Sequence, residues 1–102
     1  MSTTMSTPHP VIPDGSCPRI ARLYRFQWEE AQQAHVLLYP EGMVKLNQSA
    51  GEILKRCTGS QSIPALVADL ETAFNAHPLD AEVRAFLHMA EAQGWIDWNA
   101  PA

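Results

Sequence analysis

The sequence predicts an α+β domain in which a three-stranded antiparallel β-meander precedes three α-helices. Aromatic and polar residues alternate at residues 22–28, a Pro and a Gly separate apolar runs at residues 34–39 and 43–47, and the rest of the chain changes to helical spacing. Alternation with a period of two is typical of half-buried strands, whereas apolar residues at i, i+3, i+4 and i+7 indicate helices. Strands followed by helices point to the α+β class.

The chain is long enough for one domain with a core of its own. At 102 residues, of which 46% are hydrophobic, it can bury roughly two-thirds of its unfolded surface. Residues 1–18 are rich in Ser, Thr and Pro, and such a composition buries too little apolar surface to offset the entropy of ordering. We therefore predict a flexible tail over residues 1–18, a folded domain over residues 19–98 and a C-terminal tail over residues 99–102.

The three strands are predicted at residues 22–28, 34–39 and 43–47. The first alternates, the second is nearly continuous in apolar residues, and the third is short and alternating. The sequence "YPEG" at residues 39–42 separates the second strand from the third. Pro suits the second position of a turn and Gly can adopt a positive φ, so we expect a type I turn that closes with a G1 bulge.

Capping residues delimit the helices. Asn47 or Ser49 can cap the first helix, Ser62 the second and Asp80 the third, because a short polar side chain accepts a hydrogen bond from the first turn. Gly94 suits the end of the third helix. Apolar residues at helical spacing predict the core-facing positions, which are Ala50, Ile53, Leu54 and Cys57, then Ile63, Leu66, Val67, Leu70 and Phe74, and finally Val83, Phe86, Leu87 and Ala90.

No group of residues predicts catalysis or a bound metal. The four histidines lack partners at the spacing of metal ligands, whereas a zinc site needs three or four converging ligands. Cys57 lies at a core-facing position, where a cysteine behaves as a small hydrophobic residue, and Ser49 and Ser62 are better explained as helix caps. We therefore expect no enzymatic activity and no cofactor.

The charge distribution favours a protein partner over nucleic acid. The formal net charge is −4, and beyond residue 57 Arg84 is the one Lys or Arg side chain against six acidic ones. Binding to phosphate backbones needs clustered Lys and Arg. A winged-helix DNA-binding regulator is the main alternative for three helices beside a hairpin, but its recognition helix should be basic. The third helix instead carries Arg84 between Glu82 and Glu91.

The sequence shows neither a membrane span nor a secretory signal. No apolar run approaches the roughly 20 residues that cross a bilayer, and the N-terminus lacks a basic stretch followed by an apolar one. With only two cysteines, Cys17 and Cys57, there is no disulfide framework. We expect a cytoplasmic protein with reduced thiols and no membrane partner.

Two surfaces are not explained by folding alone. The third strand ends the meander, so one of its edges lacks a partner, and open edges are templates for another chain. On the third helix, one face away from the core positions carries Ala81, Ala85, His88, Met89 and Ala92. These are either ordinary helix-favouring surface residues or a surface that a partner approaches closely, with Met89 as an adaptable contact. The open edge also allows a homodimer, in which the chain is a self-associating structural subunit.

The segment "LLYPEGMVKLNQSAGEIL" at residues 37–54, followed by "IPALVADL" and "FLHMAEAQGWI", resembles the signature of the PqqD family of pyrroloquinoline quinone (PQQ) biosynthesis. The resemblance covers roughly residues 18–98, and Thr58 departs from it, since the family usually has Asp there. It implies a winged-helix-like recognition element for ribosomally synthesised, post-translationally modified peptides (RiPPs). Such a peptide chaperone binds the precursor peptide PqqA and presents it to the radical S-adenosylmethionine (SAM) enzyme PqqE.

The resemblance also implies where the peptide binds. In this domain class the leader segment of the precursor adds as a strand beside the third strand and lies against the third helix. Carried onto this sequence, the expected peptide-binding residues are Met43, Val44, Lys45 and Leu46 on the strand and Glu82, Phe86, Met89 and Gln93 on the helix.

Overall fold

The computed structural model describes residues 15–99, which fold as two antiparallel β-structures packed with three helices. The elements in chain order are β1 (Cys17–Ile20), β2 (Arg25–Glu29), a 3-10 turn (Glu30–Gln32), β3 (Ala34–Tyr39), β4 (Gly42–Lys45), α1 (Gln48–Lys55), α2 (Ile63–Phe74), α3 (Asp80–Ala92) and β5 (Ile96–Asn99).

The strands β2, β3 and β4 form one antiparallel sheet in that order. This sheet and the three helices that follow it confirm the predicted α+β fold. β3 spans the predicted residues, whereas β2 begins three residues later than the alternation indicated and β4 ends two residues earlier. β3 is also the central strand, which explains its nearly continuous apolar sequence: Val36 and Leu37 are both fully buried.

The turn between β3 and β4 is tighter than predicted. Tyr39 pairs directly with Gly42, which leaves Pro40 and Glu41 as a two-residue loop, and Gly42 is not among the described glycines with positive φ. The predicted G1 bulge is therefore wrong. A Cβ atom at Gly42 would lie 3.4 Å from the Tyr39 hydroxyl, so this glycine leaves room for the Tyr39 ring rather than supplying a left-handed residue.

The two ends of the described chain form a second β-structure that the sequence analysis missed. β1 and β5 pair in the antiparallel direction, with Pro18 opposite Trp98. Pro18 is fully buried. The folded part of the chain therefore starts within the segment predicted as an N-terminal tail, and it continues through Asn99. The tail predictions for residues 1–14 and 100–102 lie outside the described residues.

The hydrophobic core lies between one face of the sheet and the three helices. Nearly all of the predicted core positions are buried, and each large apolar side chain that is removed from water contributes about 1.5–3 kcal/mol. Phe86 is only partly buried, and Phe74 is 44% exposed. The prediction for Phe74 is wrong because it is the last residue of α2, and the chain turns away at Asn75 with φ 49°.

The starts of the helices follow the predicted caps in two cases out of three. Asn47 and Ser62 cap α1 and α2 through their side chains. Asp80 does not cap α3, since Leu79 occupies the cap position and makes no side-chain cap bond. Instead, the Leu79 N–H donates to a carboxylate oxygen of Glu71 in α2 at 2.9 Å. An acceptor from another helix thus replaces the local cap and ties the start of α3 to α2.

Candidate functional site

A groove of about 720 Å³ lies between α3 on one side and the end of β4 and the start of α1 on the other. Its lining is mostly apolar and continues the hydrophobic core outward. The main apolar contributors are Leu46, Ile53, Leu70, Val83, Phe86 and Trp95. Pockets with an apolar lining and a few polar groups at the rim are typical binding sites.

The edge of β4 that does not face β3 borders this groove. The Leu46 N–H donates to the His35 carbonyl oxygen at 3.0 Å, one position beyond the last pair of β3 and β4, in which Val36 lies opposite Lys45. In an antiparallel pair, residues alternate between those that bond to the partner strand and those that point away from it. Val44 therefore bonds to β3, whereas the N–H and C=O groups of Met43 and Lys45 point toward the other edge of β4, which is open in that no strand between residues 15 and 99 pairs with it.

α3 forms the opposite wall. Val83, Leu87 and Ala90 hold the helix against the core, at 2%, 0% and 0% exposure. Phe86 and Met89 then lie on the flank that faces the groove. Met89 is 40% exposed, so its flexible thioether side chain is available for contact with a ligand.

The end of α2 closes one side of the groove with an exposed aromatic ring. Phe74 lines the groove, and the Arg56 guanidinium carbon lies 6.0 Å from the centre of its ring. The Arg56 side chain also pairs with Glu52 at 2.9 Å and with Asp69 at 3.1 Å. These contacts restrict the position of the Arg56 guanidinium, which in turn supports the Phe74 ring.

The charged side chains of the lining differ between the two walls. Lys45 stands on β4, whereas Glu82 stands on α3 and Glu52 on α1. The carboxylate of Glu52 is already paired with Arg56. A segment lying in the groove would therefore meet positive charge beside the strand and negative charge beside the helix, with apolar surface between them.

The structure brings five of the eight sequence-predicted site residues together at the groove, namely Lys45, Leu46, Glu82, Phe86 and Met89. The other three do not line it. Met43 is exposed at the strand edge, Val44 packs partly against the core, and Gln93 is the C-cap of α3.

Leu46 is only 4% exposed and belongs to the core, so its side chain lies in the floor of the groove and offers little surface to a ligand. Sequence reasoning missed Phe74, Leu79 and Trp95, which also line the groove. Phe74 and Trp95 stand next to chain-reversing residues, Asn75 and Gly94, both with positive φ. A large apolar residue beside such a helix end is a signal that could have indicated partial exposure.

The thiol of Cys57 is poorly suited to act as a nucleophile. Burial raises the pKa of the Cys57 thiol to about 12, which disfavours the thiolate that a nucleophile needs. Between residues 15 and 99 there is no group of three or more His, Cys, Asp or Glu side chains that could hold a metal ion. Over the same range, none of the helices is long and apolar enough to cross a membrane.

Comparisons with known proteins give the family of this chain. The family model for coenzyme PQQ synthesis protein D (PqqD) matches residues 34–96, a range that includes the sheet edge and all three helices. A PqqA binding protein of Pseudomonas aeruginosa is 54% identical over 83 residues, which cover 80% of this chain and 90% of that protein. A PqqA binding protein of Azotobacter vinelandii is 49% identical over 81 residues, covering 78% and 88% of the two chains.

A solved structure is also similar. The NMR structure of the PqqD part of Methylobacterium extorquens PqqCD superimposes with a TM-score of 0.65 at 26% identity, over 78% of this chain and 87% of that one. That protein is described as a functional, stand-alone RiPP recognition element.

Proposed function

Because the chain belongs to the PqqD family of coenzyme PQQ synthesis proteins, we propose that it binds a precursor peptide of the PqqA type. The peptide adds as a strand beside β4, and its side chains on one face enter the groove against α3. The relatives named PqqA binding proteins support the choice of ligand, and the recognition element of M. extorquens supports the class of function.

The observation that carries this proposal is the position of the open edge. The N–H and C=O groups of Met43 and Lys45 point away from β3, and the apolar groove begins at Lys45, at the end of this edge. Strand addition uses such an edge for affinity, while pockets for alternate side chains supply specificity. An edge without a groove would bind any extended chain weakly, and a groove without an edge would not fix the register of a peptide.

Magnitudes indicate how the affinity is divided. The four outward groups give about 0.5–1.5 kcal/mol per hydrogen bond, whereas ordering each peptide residue costs about 1–2 kcal/mol. The hydrogen bonds therefore do little more than offset the ordering cost. Micromolar binding requires about 8 kcal/mol, so about three to five peptide side chains must be buried at about 1.5–3 kcal/mol each. The apolar lining of the groove supplies the surface for these contacts.

The protein then acts as a chaperone for the peptide and not as its modifying enzyme. A peptide held along one edge keeps its other edge and both flanking segments accessible, so a radical SAM enzyme of the PqqE type can reach them. The buried thiol of Cys57 supports a non-catalytic role. The setting of this function is the cytoplasm, where both cysteines stay reduced.

Isothermal titration calorimetry with a synthetic PqqA-type peptide tests the proposal. Met89→Asp places a charge on the groove wall, and we expect it to weaken peptide binding at least about tenfold, because burying an unpaired carboxylate is costly. Ala81→Asp adds the same charge to an exposed position of α3 outside the lining, and we expect the affinity to change less than about twofold.

Folding controls separate loss of binding from loss of structure. Met89 is exposed, so the circular dichroism spectrum of Met89→Asp should match that of the wild type. Leu54 is 1% exposed, and Leu54→Asp should unfold the domain. Wild-type affinity for Met89→Asp would show that this flank of α3 does not contact the peptide.

A further inference from the structure

The opposite edge of the same sheet is also open. β2 pairs only with β3 among the described residues, and its other edge has no backbone partner within residues 15–99. The aromatic side chains of this strand are not sealed in the core. Trp28 is 49% exposed, and Phe26 is partly buried.

The alternation of hydrogen bonds fixes which groups of β2 point outward. His35 bonds to β4, so the neighbouring residues of β3, including Val36, bond to β2. Val36 lies opposite Gln27, and Gln27 therefore uses its N–H and C=O groups inside the sheet. The N–H and C=O groups of Phe26 and Trp28 point toward the open edge.

The sequence of β2, Arg-Phe-Gln-Trp-Glu, is complementary to itself in the antiparallel direction. If a second copy lies antiparallel with Gln27 opposite Gln27, then Arg25 faces Glu29 of the second copy and Phe26 faces Trp28 of the second copy. Both charge pairs are attractive, and both aromatic pairs lie directly across the two strands, where such pairs stabilise a sheet. We propose that β2 is a self-association edge whose partner is a second copy of this chain.

The direction of the backbone groups agrees with this register. Phe26 and Trp28 are the residues with outward N–H and C=O groups, and in this register they face each other, so they can exchange four hydrogen bonds across the two-fold axis. A shift by two residues in either direction keeps the hydrogen bonds but places Arg25 or Glu29 opposite Gln27. Only the register centred on Gln27 pairs each charge with its opposite.

The aromatic rings of this edge are already held in place. The Phe26 ring stacks on His35 at 4.8 Å between centroids, and the Trp28 ring meets His35 edge-on at 5.1 Å. The Trp28 Nε1–H also donates to a Glu30 carboxylate oxygen at 3.0 Å. Side chains that are restrained before association lose less entropy when they become buried.

The edge of β4 lacks this self-complementarity. Its one charged side chain is Lys45, so no antiparallel register of two β4 strands contains an attractive charge pair. Association through β2 also leaves both peptide grooves free. The result is a continuous six-stranded sheet with a β4 strand at each end, separated by five strand spacings, or about 24 Å.

Hydrogen exchange measured by NMR on the full chain tests this surface at the level of single amides. The contact between two five-residue strands is smaller than that of a stable dimer, so we expect half-association at roughly 0.1–1 mM. The amides of Phe26 and Trp28 should exchange fast in dilute protein and slow down as the concentration rises. The amides of Arg25 and Gln27 should be protected at all concentrations, because they bond to β3.

Three outcomes of this measurement would overturn the proposal. The protein could stay monomeric up to about 1 mM, in which case Arg25 and Glu29 only guard the edge against aggregation. Protection could instead appear at Met43 and Lys45, which would place self-association at β4. Protection of Phe26 and Trp28 that does not depend on concentration would mean that another part of the same chain covers the edge.

Charge reversal gives a second, independent test by analytical ultracentrifugation. Arg25→Glu and Glu29→Arg each place like charges opposite each other, and we expect the dimer dissociation constant of either variant to rise at least about tenfold. An equimolar mixture of the two variants restores both attractive pairs and should form a heterodimer. The double variant should also dimerise like the wild type.

The mixing experiment controls for damage to the fold, because a misfolded variant would not be rescued by its counterpart. This control is needed for Glu29→Arg, since the Glu29 carboxylate also accepts a hydrogen bond from the Ala31 N–H in the 3-10 turn. Failure of the mixture to associate more tightly than either variant alone would contradict the proposed register. Arg25 lies outside the peptide groove, so Arg25→Glu should bind peptide with the wild-type affinity.

Discussion

Lys45 and Leu46 are consecutive residues with different roles in the groove. Leu46 bonds through its N–H to β3 and buries its side chain in the core, whereas Lys45 turns its backbone groups to the open edge. In the same way, Val44 bonds to β3, whereas the backbone groups of Met43 point to the open edge. Contact with a peptide strand is therefore expected through the backbone of Met43 and Lys45, while the side chain of Leu46 lies in the floor of the groove and that of Val44 packs against the core.

The two cysteines should differ in reactivity because one is buried. Burial raises the pKa of Cys57 from 9.0 to about 12, while Cys17 is only partly buried. Below pH 9 Cys57 is neutral in both the folded and the unfolded chain. As the pH rises from 9 toward 12 only the unfolded chain ionises, so this residue's contribution to stability declines.

Iodoacetamide labelling followed by mass spectrometry measures this difference. At pH 8–9 in native buffer we expect Cys17 to be modified well before Cys57, and in urea both should react at similar rates. Equal labelling of the two thiols in the folded protein would contradict the buried position of Cys57.

Glu71 should stabilise the start of α3 without being part of that helix. Its carboxylate accepts the Leu79 N–H at 2.9 Å, and Leu79 lines the groove. Glu71→Ala removes the acceptor, and we expect urea unfolding to show a loss of about 1–2 kcal/mol in the free energy of unfolding. Glu71→Gln keeps an acceptor oxygen and should lose about half as much or less. An unchanged stability in Glu71→Ala would mean that this bond does not hold α3.

At the scale of elements, the β3–β4 hairpin positions the site. Its two-residue loop sets Tyr39 opposite Gly42, and this pairing determines that the backbone groups of Met43 and Lys45, one and three residues after Gly42, face outward. Asn47 then caps α1 immediately after the strand, and its side chain accepts from the Ala50 N–H at 2.8 Å. The short connection holds the strand edge rigidly beside the start of α1, where the groove opens.

A proline at the outward position tests this arrangement. Proline is tolerated on an edge strand where its missing N–H would have faced away from the sheet. We expect Lys45→Pro to fold with nearly the wild-type unfolding midpoint but to bind a PqqA-type peptide about five- to tenfold more weakly, because one hydrogen bond of about 1–1.5 kcal/mol is lost.

Two controls accompany this variant. Lys45→Ala removes the charge but keeps the N–H, so it separates the side chain from the backbone. Val44→Pro removes a bond to β3 and should destabilise the domain by about 1–3 kcal/mol, because the carbonyl group that accepted this bond is left without a donor. Wild-type affinity in Lys45→Pro would mean that the peptide does not bond to this N–H.

Local pattern was sufficient to predict the meander, the three helices and two of their caps. Each of these features depends on neighbouring residues in the sequence. The apolar run at residues 34–39, for example, coincides with β3. The turn was misjudged because "YPEG" fits more than one loop, and the choice depends on the Tyr39 ring above Gly42. Asp80 was misjudged as a cap because the acceptor that replaces it comes from Glu71 on another helix.

The ribbon of β1 and β5 could not be predicted from local pattern. Each strand has four residues and neither alternates clearly. Their pairing joins segments at opposite ends of the described chain: the Arg19 and Asp97 side chains approach to 2.6 Å across 78 positions of sequence. The composition of the N-terminal residues indicated a tail. It does not reveal that Pro18 is buried, since this burial depends on the pairing of β1 with β5 at the far end of the described chain.

At the scale of the whole molecule, one sheet presents two edges that are unpaired within residues 15–99 and differ in their properties. The edge of β4 borders an apolar groove, and residues 42–45 contain no pair of opposite charges, whereas β2 carries both Arg25 and Glu29 and lies on the opposite side of the sheet. The family resemblance led directly to the first edge. The edge of β2 was recognised only from the pairing register, which shows that the backbone groups of Phe26 and Trp28 point outward.

The most direct test of the central claim is amide hydrogen exchange by NMR in the presence of a synthetic PqqA-type peptide. Strand addition predicts that the amides of Met43 and Lys45 become protected on binding, while the amide of Val44, already bonded to β3, does not change. Shifts should accompany this protection at Phe86 and Met89. Binding of the peptide without any protection at Met43 and Lys45 would contradict strand addition at this edge.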